Sequence, residues 1–312
     1  MQKKLIALAV AGLVSVPAFA QSNVTIYGRM DVGVFNKDDA NGNGVTRVDS
    51  SGWTTSRLGF KGSEDLGNGL KAIFQIETRL ENDSSSTFGS ARDTFVGLTG
   101  GFGTLIAGRN STPLNNWLPE YDPSGVANAF RTSNVDLRGS LETRVNNSVV
   151  YAAPTFSGVE FAALYAPDED DTVSEDIYGI GLQWKSGPIA AMFTWHAIDN
   201  TVDNFAVGFS YNFGVAKIHT NYIFNEFDAS GTEDEQAWAI GVSAPIGAGS
   251  VGLGFTQQTD IAGIADNDID VWALTYKHNL SKRTYAYAGY QYKDRENGSS
   301  QDTYGVGVAH HF

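Results

Sequence analysis

The chain has 312 residues with 35 acidic and 21 basic side chains, a formal charge of −14, 35 glycines, 12 % aromatic residues and no cysteine. That acidity argues against nucleic acid as a partner, since phosphate contacts need a basic surface. Many glycines and aromatics beside only 3 methionines and 8 prolines suit twisted strands and tight turns, and the missing cysteines rule out disulfide staples.

The first element is residues 1–20. A basic start at Lys3 and Lys4, an apolar run from Leu5 to Val16 and a small-residue exit at Ala18 and Ala20 read as a cleavable secretory signal. No later stretch approaches the roughly 18 uninterrupted apolar residues of a spanning helix, which excludes a helical membrane protein. The expected division is therefore a signal peptide at 1–20 and one all-β domain at 21–312.

From Asn23 onward one figure repeats: about ten alternating residues, then a polar break rich in Gly, Asn and Asp. In Asn204 to Gly214, Phe205, Val207, Phe209, Tyr211 and Phe213 share one face, while Ala206, Gly208, Ser210 and Asn212 share the other. Trp184, Trp195 and Trp238 fall on similar apolar faces near segment ends, as an interfacial girdle requires, and the opposite faces are too polar for a dry core. Strands in hydrocarbon must close to satisfy their backbone groups. The reading is all-β: a transmembrane antiparallel β-barrel of about sixteen strands with polar inside and apolar outside.

The breaks alternate in length. Short ones at Gly67 to Gly69, Gly100-Gly101, Ser157-Gly158, Ser186 to Pro188, Gly214, Gly247 to Gly249 and Asn279 to Ser281 read as periplasmic turns. Longer ones at Asn36 to Thr54, Asp168 to Asp176, Asp228 to Glu235 and Asp260 to Asp268 read as external loops forming an acidic rim. One connection, Asn110 to Thr143, is far longer, contains Pro113, Trp117, Pro119 and Pro123, and shows no alternation. Long ordered loops are usually functional.

Alternation assigns the lumen. Val24, Ile26, Met30, Val32 and Val34 face outward, so Tyr27, Arg29 and Asp31 point inward. The same rule turns Arg57 and Lys61, then Gln75, Glu77 and Arg79, then Arg144, Asn146 and Ser148 toward the inside. The predicted basic pore lining is Arg29, Arg57, Lys61, Arg79 and Arg144, on one arc of wall. The long loop brings Glu120, Asp122, Asp136 and Glu142. A cationic wall facing an anionic loop would set up a transverse field across a narrow eyelet.

Catalytic patterns are missing: no cysteine, no phosphate-cradling loop, no nucleophile elbow, and five scattered histidines of which only His310 and His311 adjoin. No catalytic residue, metal or cofactor is expected. An outer-membrane barrel hydrolase would need a Ser/His or Asp/His set. A substrate-specific channel would need an aromatic track in the lumen, whereas most aromatics alternate to the lipid side.

Several stretches, in order along the chain, resemble Gram-negative general-diffusion porins of the beta-proteobacterial and neisserial branch. They are Val24 to Gly28 with Asp31 and Gly33; Ser56 to Gly62 with Glu64 to Gly67; Phe95 to Leu98; and Phe102 to Thr104 with Gly108-Arg109. Further on come Arg144 with Asn147 to Val149 and Tyr151, Leu280 to Thr284 with Tyr287 and Tyr290, and Gly305 to Gly307 with His310 and Phe312. The resemblance spans nearly the whole chain after residue 20. It implies a sixteen-stranded barrel whose third external loop, Asn110 to Thr143, folds into the lumen, and a homotrimer in the outer membrane among lipid and lipopolysaccharide. It further implies passive diffusion of ions and small hydrophilic solutes, and a terminal Phe312 read by the barrel-assembly machinery. Selectivity is open between wall arginines, which attract anions, and the acidic rim, with a lean to anions.

Overall fold

The computed structural model describes residues 23–39, 43–124, 127–132, 143–168 and 176–312. The expected signal peptide at 1–20 lies outside the described residues. Among the described residues no helix is long and apolar enough to cross a membrane.

The first strands are β1 (Asn23–Asp38), β2 (Gly44–Ser50), β3 (Arg57–Gly67), β4 (Leu70–Leu80), β5 (Phe88–Gly100) and β6 (Gly103–Ser111). After the long loop come β7 (Arg144–Ala152), β8 (Val159–Ala166), β9 (Ile177–Ser186), β10 (Ile189–Ile198), β11 (Val202–Asn212) and β12 (Lys217–Phe227). The chain ends with β13 (Glu235–Ile246), β14 (Gly249–Thr259), β15 (Ile269–Asn279), β16 (Thr284–Arg295) and β17 (Gln301–His311). Every neighbouring pair is antiparallel, and β17 pairs with β1 from Arg29↔His311 to Lys37↔Thr303, so the sheet closes.

Seventeen strand segments make a sixteen-stranded barrel because β2 and β3 share one place in the wall. The upper half of β1 pairs with β2, from Val32↔Ser50 to Asp38↔Gly44, and the lower half with β3, from Asn23↔Ser63 to Arg29↔Arg57. Residues 51–56 between them leave the wall. This corrects the expectation of an external loop from Asn36 to Thr54: most of that stretch is a β1–β2 hairpin, and its last residues turn inward.

The outer surface is the apolar face read from the sequence. Val24, Ile26, Met30 and Val34 of β1 stay exposed while Asp31 and Phe35 are fully buried. Exposed Trp238 and Trp272 pack against Phe255 at ring-centroid distances of 5.2 and 4.5 Å, a stretch of aromatic belt. The seven short turns lie at the end that carries Phe312, and the longer loops at the other.

Terminal Phe312 belongs to the closure. Its N–H donates to Gly28 O at 3.1 Å and its carbonyl accepts from Gly28 N–H at 3.2 Å. A Cβ on residue 28 would lie 2.5 Å from Phe312 Cζ, so the ring lies against a position only glycine leaves open.

Candidate functional site

The long loop, residues 112–143, starts with a short helix, α1 (Pro113–Trp117). Thr112 caps it by accepting from Asn115 N–H at 3.3 Å, and proline occupies the first turn, where no N–H is required. A single 3₁₀ turn, Leu118–Tyr121, follows. Leu114, Leu118 and Tyr121 are buried against Ala190, Met192, Ala206, Ile223 and Ala237, which are inward residues of β10 to β13. The described part of the loop thus lies on the inner face of the wall.

Glycines on the inward face make that approach possible. A Cβ at Gly181 would lie 2.3 Å from the Trp117 ring, at Gly208 2.6 Å from Tyr121 Cγ, at Gly241 2.3 Å from Pro123 Cγ, and at Gly289 2.4 Å from the Phe130 ring. The loop therefore runs around the wall from β9 to β16. Polar contacts hold it there. Lys217 pairs with the Glu120 carboxylate, and Asn221 Nδ2–H donates to Tyr121 O at 2.9 Å. His219 donates through Nδ1 to Glu120 O at 3.1 Å and accepts Ser243 Oγ–H at Nε2, 2.8 Å away. Gln183 Nε2–H donates to Tyr121 Oη at 3.0 Å, and burial pushes that phenol up to about 12, so it stays protonated at neutral pH.

The far end of the described loop meets residues 51–56. Asn128 N–H donates to Trp53 O at 3.1 Å and Ala129 N–H to Gly52 O at 2.8 Å. Asp31 organises this excursion. Its carboxylate accepts N–H from Gly52 (3.2 Å), Trp53 (3.0 Å) and Thr54 (2.7 Å), and Tyr287 O–H at 2.5 Å. Phe35, Trp53, Phe130 and Tyr287 form the hydrophobic cluster beneath it. Beside the aromatics exposed on the outer face, the lumen has a group of its own: Phe35, Tyr285 and Tyr287 alternate inward, and Trp53 and Phe130 are brought to them by the two inward segments.

With the loop against β9 to β16, the open lumen faces β1 to β7. Arg29, Arg57 and Arg79 occupy directly opposed positions on β1, β3 and β4 and so make one transverse row. Like charges so placed repel. Glu77, almost fully buried, offsets this by accepting from Arg57 Nη1 at 3.5 Å, Arg92 Nε at 2.5 Å and Tyr27 Oη at 3.0 Å. Arg29 Nη1 donates to Thr54 Oγ1 at 2.6 Å, and Lys61 Nζ lies 5.1 Å from the Tyr27 ring centroid. Arg144 pairs with Asp93 at 3.3 Å, and Arg79 with Glu81 at 2.7 Å.

A cavity of about 450 Å³ opens between this wall and the loop. Lys37, Arg79, Arg92, Arg109 and Arg144 line it, and none of its described lining residues is acidic. Arg92 and Arg109 escape a strict alternation rule, which places them with Val96 and Leu105 on the lipid side. Register shifts place extra residues on β5, opposite Glu77 and Arg79, and on β7, opposite Arg109, and both arginines line the cavity. The anionic face expected on the loop is placed differently for two of its four residues. Glu120 is taken up by Lys217, and the buried Asp122 carboxylate accepts from Ser124 N–H at 2.7 Å. Neither lines the basic cavity. Asp136 and Glu142 lie outside the described residues.

A closed barrel with an apolar exterior, a charged lumen and an internal constriction defines a transmembrane channel. Residues 7–310 match the Gram-negative porin family, and the chain belongs to that family. It is 34 % identical to outer membrane porin protein 32 of Delftia acidovorans over 99 % of this chain and 94 % of that one. It is 29 % identical to the major outer membrane protein P.IB of Neisseria meningitidis serogroup B over the full length of both. Among solved structures, the anion-selective porin from Comamonas acidovorans superposes with a TM-score of 0.84 at 30 % identity, covering 93 % of this chain and all of that one. The protein is an outer-membrane porin, a water-filled channel for passive diffusion of ions and small hydrophilic solutes.

Proposed function

We propose that this porin prefers anions and that Arg29, Arg57, Arg79, Arg92, Arg109 and Arg144 set the preference, with Lys37 and Lys61 extending the basic surface. The observation that carries this reading is the 450 Å³ cavity with five basic residues in its lining and no acidic one among the described residues. The solved relative described as anion-selective supports it. A field is most effective where the walls are close and water is scarce, so constriction charges outweigh those on the rim at moderate salt.

The working unit is a homotrimer. Supporting this is a shallow apolar groove of about 550 Å³ on the outer face of β15 to β17 and β1, where Ala286 and Ala288 leave room beside Val306, Val308 and Val32. Lipid and lipopolysaccharide cover the remaining outer face, residues 1–20 serve as the export signal, and Phe312 serves as the handle for barrel assembly. Family and fold support a channel rather than a barrel-borne hydrolase or a dedicated substrate-specific channel. Lipid or peptide hydrolysis by the folded protein would overturn that.

The test is reversal potential and single-channel conductance of purified protein in planar bilayers under a KCl gradient. Steps in threes with a chloride-directed potential support the reading, and Arg79→Gln with Arg144→Gln moves the potential toward potassium. A potassium-directed potential in the unaltered protein sinks the anion preference.

A further inference from the structure

A second cavity, about 390 Å³, lies on the other side of the loop toward the short-turn end, between Pro119 to Ser124 and the lower halves of β12 to β15. Two ammonium groups reach it, and their circumstances differ. Lys217 is neutralised by Glu120. Lys277 of β15 makes no ion pair among the described residues; its Nζ lies 6.0 Å from the Trp53 ring centroid and 5.5 Å from that of Tyr285. The two acids in the lining, Glu120 and Asp122, are both engaged, by Lys217 and by Ser124. Trp53, Pro119, Pro123 and Pro245 supply apolar wall.

Two ring faces compensate part of the cost of a half-buried ammonium but leave its full charge to the cavity. The volume is that of a small-molecule pocket, with apolar wall and, among the described residues, one ammonium outside any ion pair to fix orientation. We propose that this cavity is a binding station for small organic carboxylates with a flat apolar body: the carboxylate pairs with Lys277 and the body rests against Trp53 and the prolines. The proposal rests on the anion pathway inferred above, which delivers such a solute past the arginine row. The lumen then holds two stations of different chemistry, the first reading charge alone and the second reading charge with shape. Multiple weak sites are what conduction requires, since a solute must leave as readily as it enters.

Half-blocking concentrations for chloride current, measured in planar bilayers with added potassium benzoate or potassium acetate, test this. In the unaltered protein benzoate half-blocks at a concentration about tenfold below acetate, the effect of about 1.4 kcal/mol of apolar contact. Lys277→Gln brings benzoate to the acetate value, and Lys277→Arg keeps the difference. If Lys277→Gln does not give a heat-modifiable folded barrel, Ser243→Asp, which sets a carboxylate in the same lining, abolishes benzoate block. Equal block by the two salts, or benzoate block unchanged in both Lys277→Gln and Ser243→Asp, overturns the station. The two readings fail separately: a chloride-directed potential without selective benzoate block removes only the station, and a potassium-directed potential removes the anion pathway.

Discussion

Asp31 shows how much one inward residue of a barrel strand can decide. Its carboxylate accepts three consecutive backbone N–H groups and one phenol O–H while fully buried. Removing the acceptor leaves those donors unpaired in a closed site, at a cost of about 3 kcal/mol. Asp31→Ala is therefore expected to lower the free energy of unfolding in urea by about 3 kcal/mol and to move the urea midpoint down with it, and Asp31→Asn, which keeps one oxygen, by less. Because Asp31 holds residues 51–56, and these hold Asn128 and Ala129, open-channel noise rises in both variants. An unchanged midpoint in Asp31→Ala would show that the carboxylate is dispensable. Alternation alone assigns Asp31, Arg29 and Arg57 to the lumen, since β1 and the start of β3 are regular. It misses Arg92 and Arg109, because bulges are set by strand register and leave no mark in a period of two.

Among elements, the long loop is legible as an insertion and opaque as a path. Its prolines, length and lack of alternation identify it, but where it goes depends on residues far away. Gly208 reads as merely small within its strand; it is the seat of Tyr121, and Gly241 that of Pro123. The useful signal is glycine recurring at inward positions of successive strands, which makes sense only if something lies against them. Glu120 and Asp122 could not be placed for a related reason. A loop acid faces whatever cation its path brings near, here Lys217 on β12 rather than the arginine row. Gly208→Ala and Gly241→Ala each put a methyl group about 1 Å too close to the loop for ordinary contact. The loop yields toward the open side and single-channel conductance falls. Tyr121→Ala removes the ring that fills this space and conductance rises. Changes of the same sign in Gly208→Ala and Tyr121→Ala would contradict a loop whose seat on the wall sets the pore width.

At the scale of the whole molecule two charge distributions oppose each other. The chain carries a formal charge of −14, with acids such as Asp228, Glu233 and Asp234 in the external loops. The basic cavity lies inside the barrel, between the wall and the long loop. Rim acids act on an approaching ion through open water, and their reach is the Debye length: about 30 Å at 0.01 M salt, about 10 Å at 0.1 M and about 3 Å at 1 M. The constriction cations act at contact distance within a low-dielectric wall, where screening is weaker. Raising KCl from 0.01 to 0.1 M therefore silences the rim first, and the chloride-to-potassium permeability ratio increases over that interval. Between 0.1 and 1 M the shorter Debye length reaches the constriction as well, and the ratio declines. A maximum at intermediate salt distinguishes this arrangement from a uniformly cationic pore, whose anion preference falls steadily from the lowest salt upward. Reversal potentials at a fixed concentration ratio across that range decide between the two. Arg79→Gln with Arg144→Gln lowers the maximum, because it weakens only the short-range term, while neutralising Glu233 and Asp234 raises the low-salt limb and leaves the high-salt limb in place.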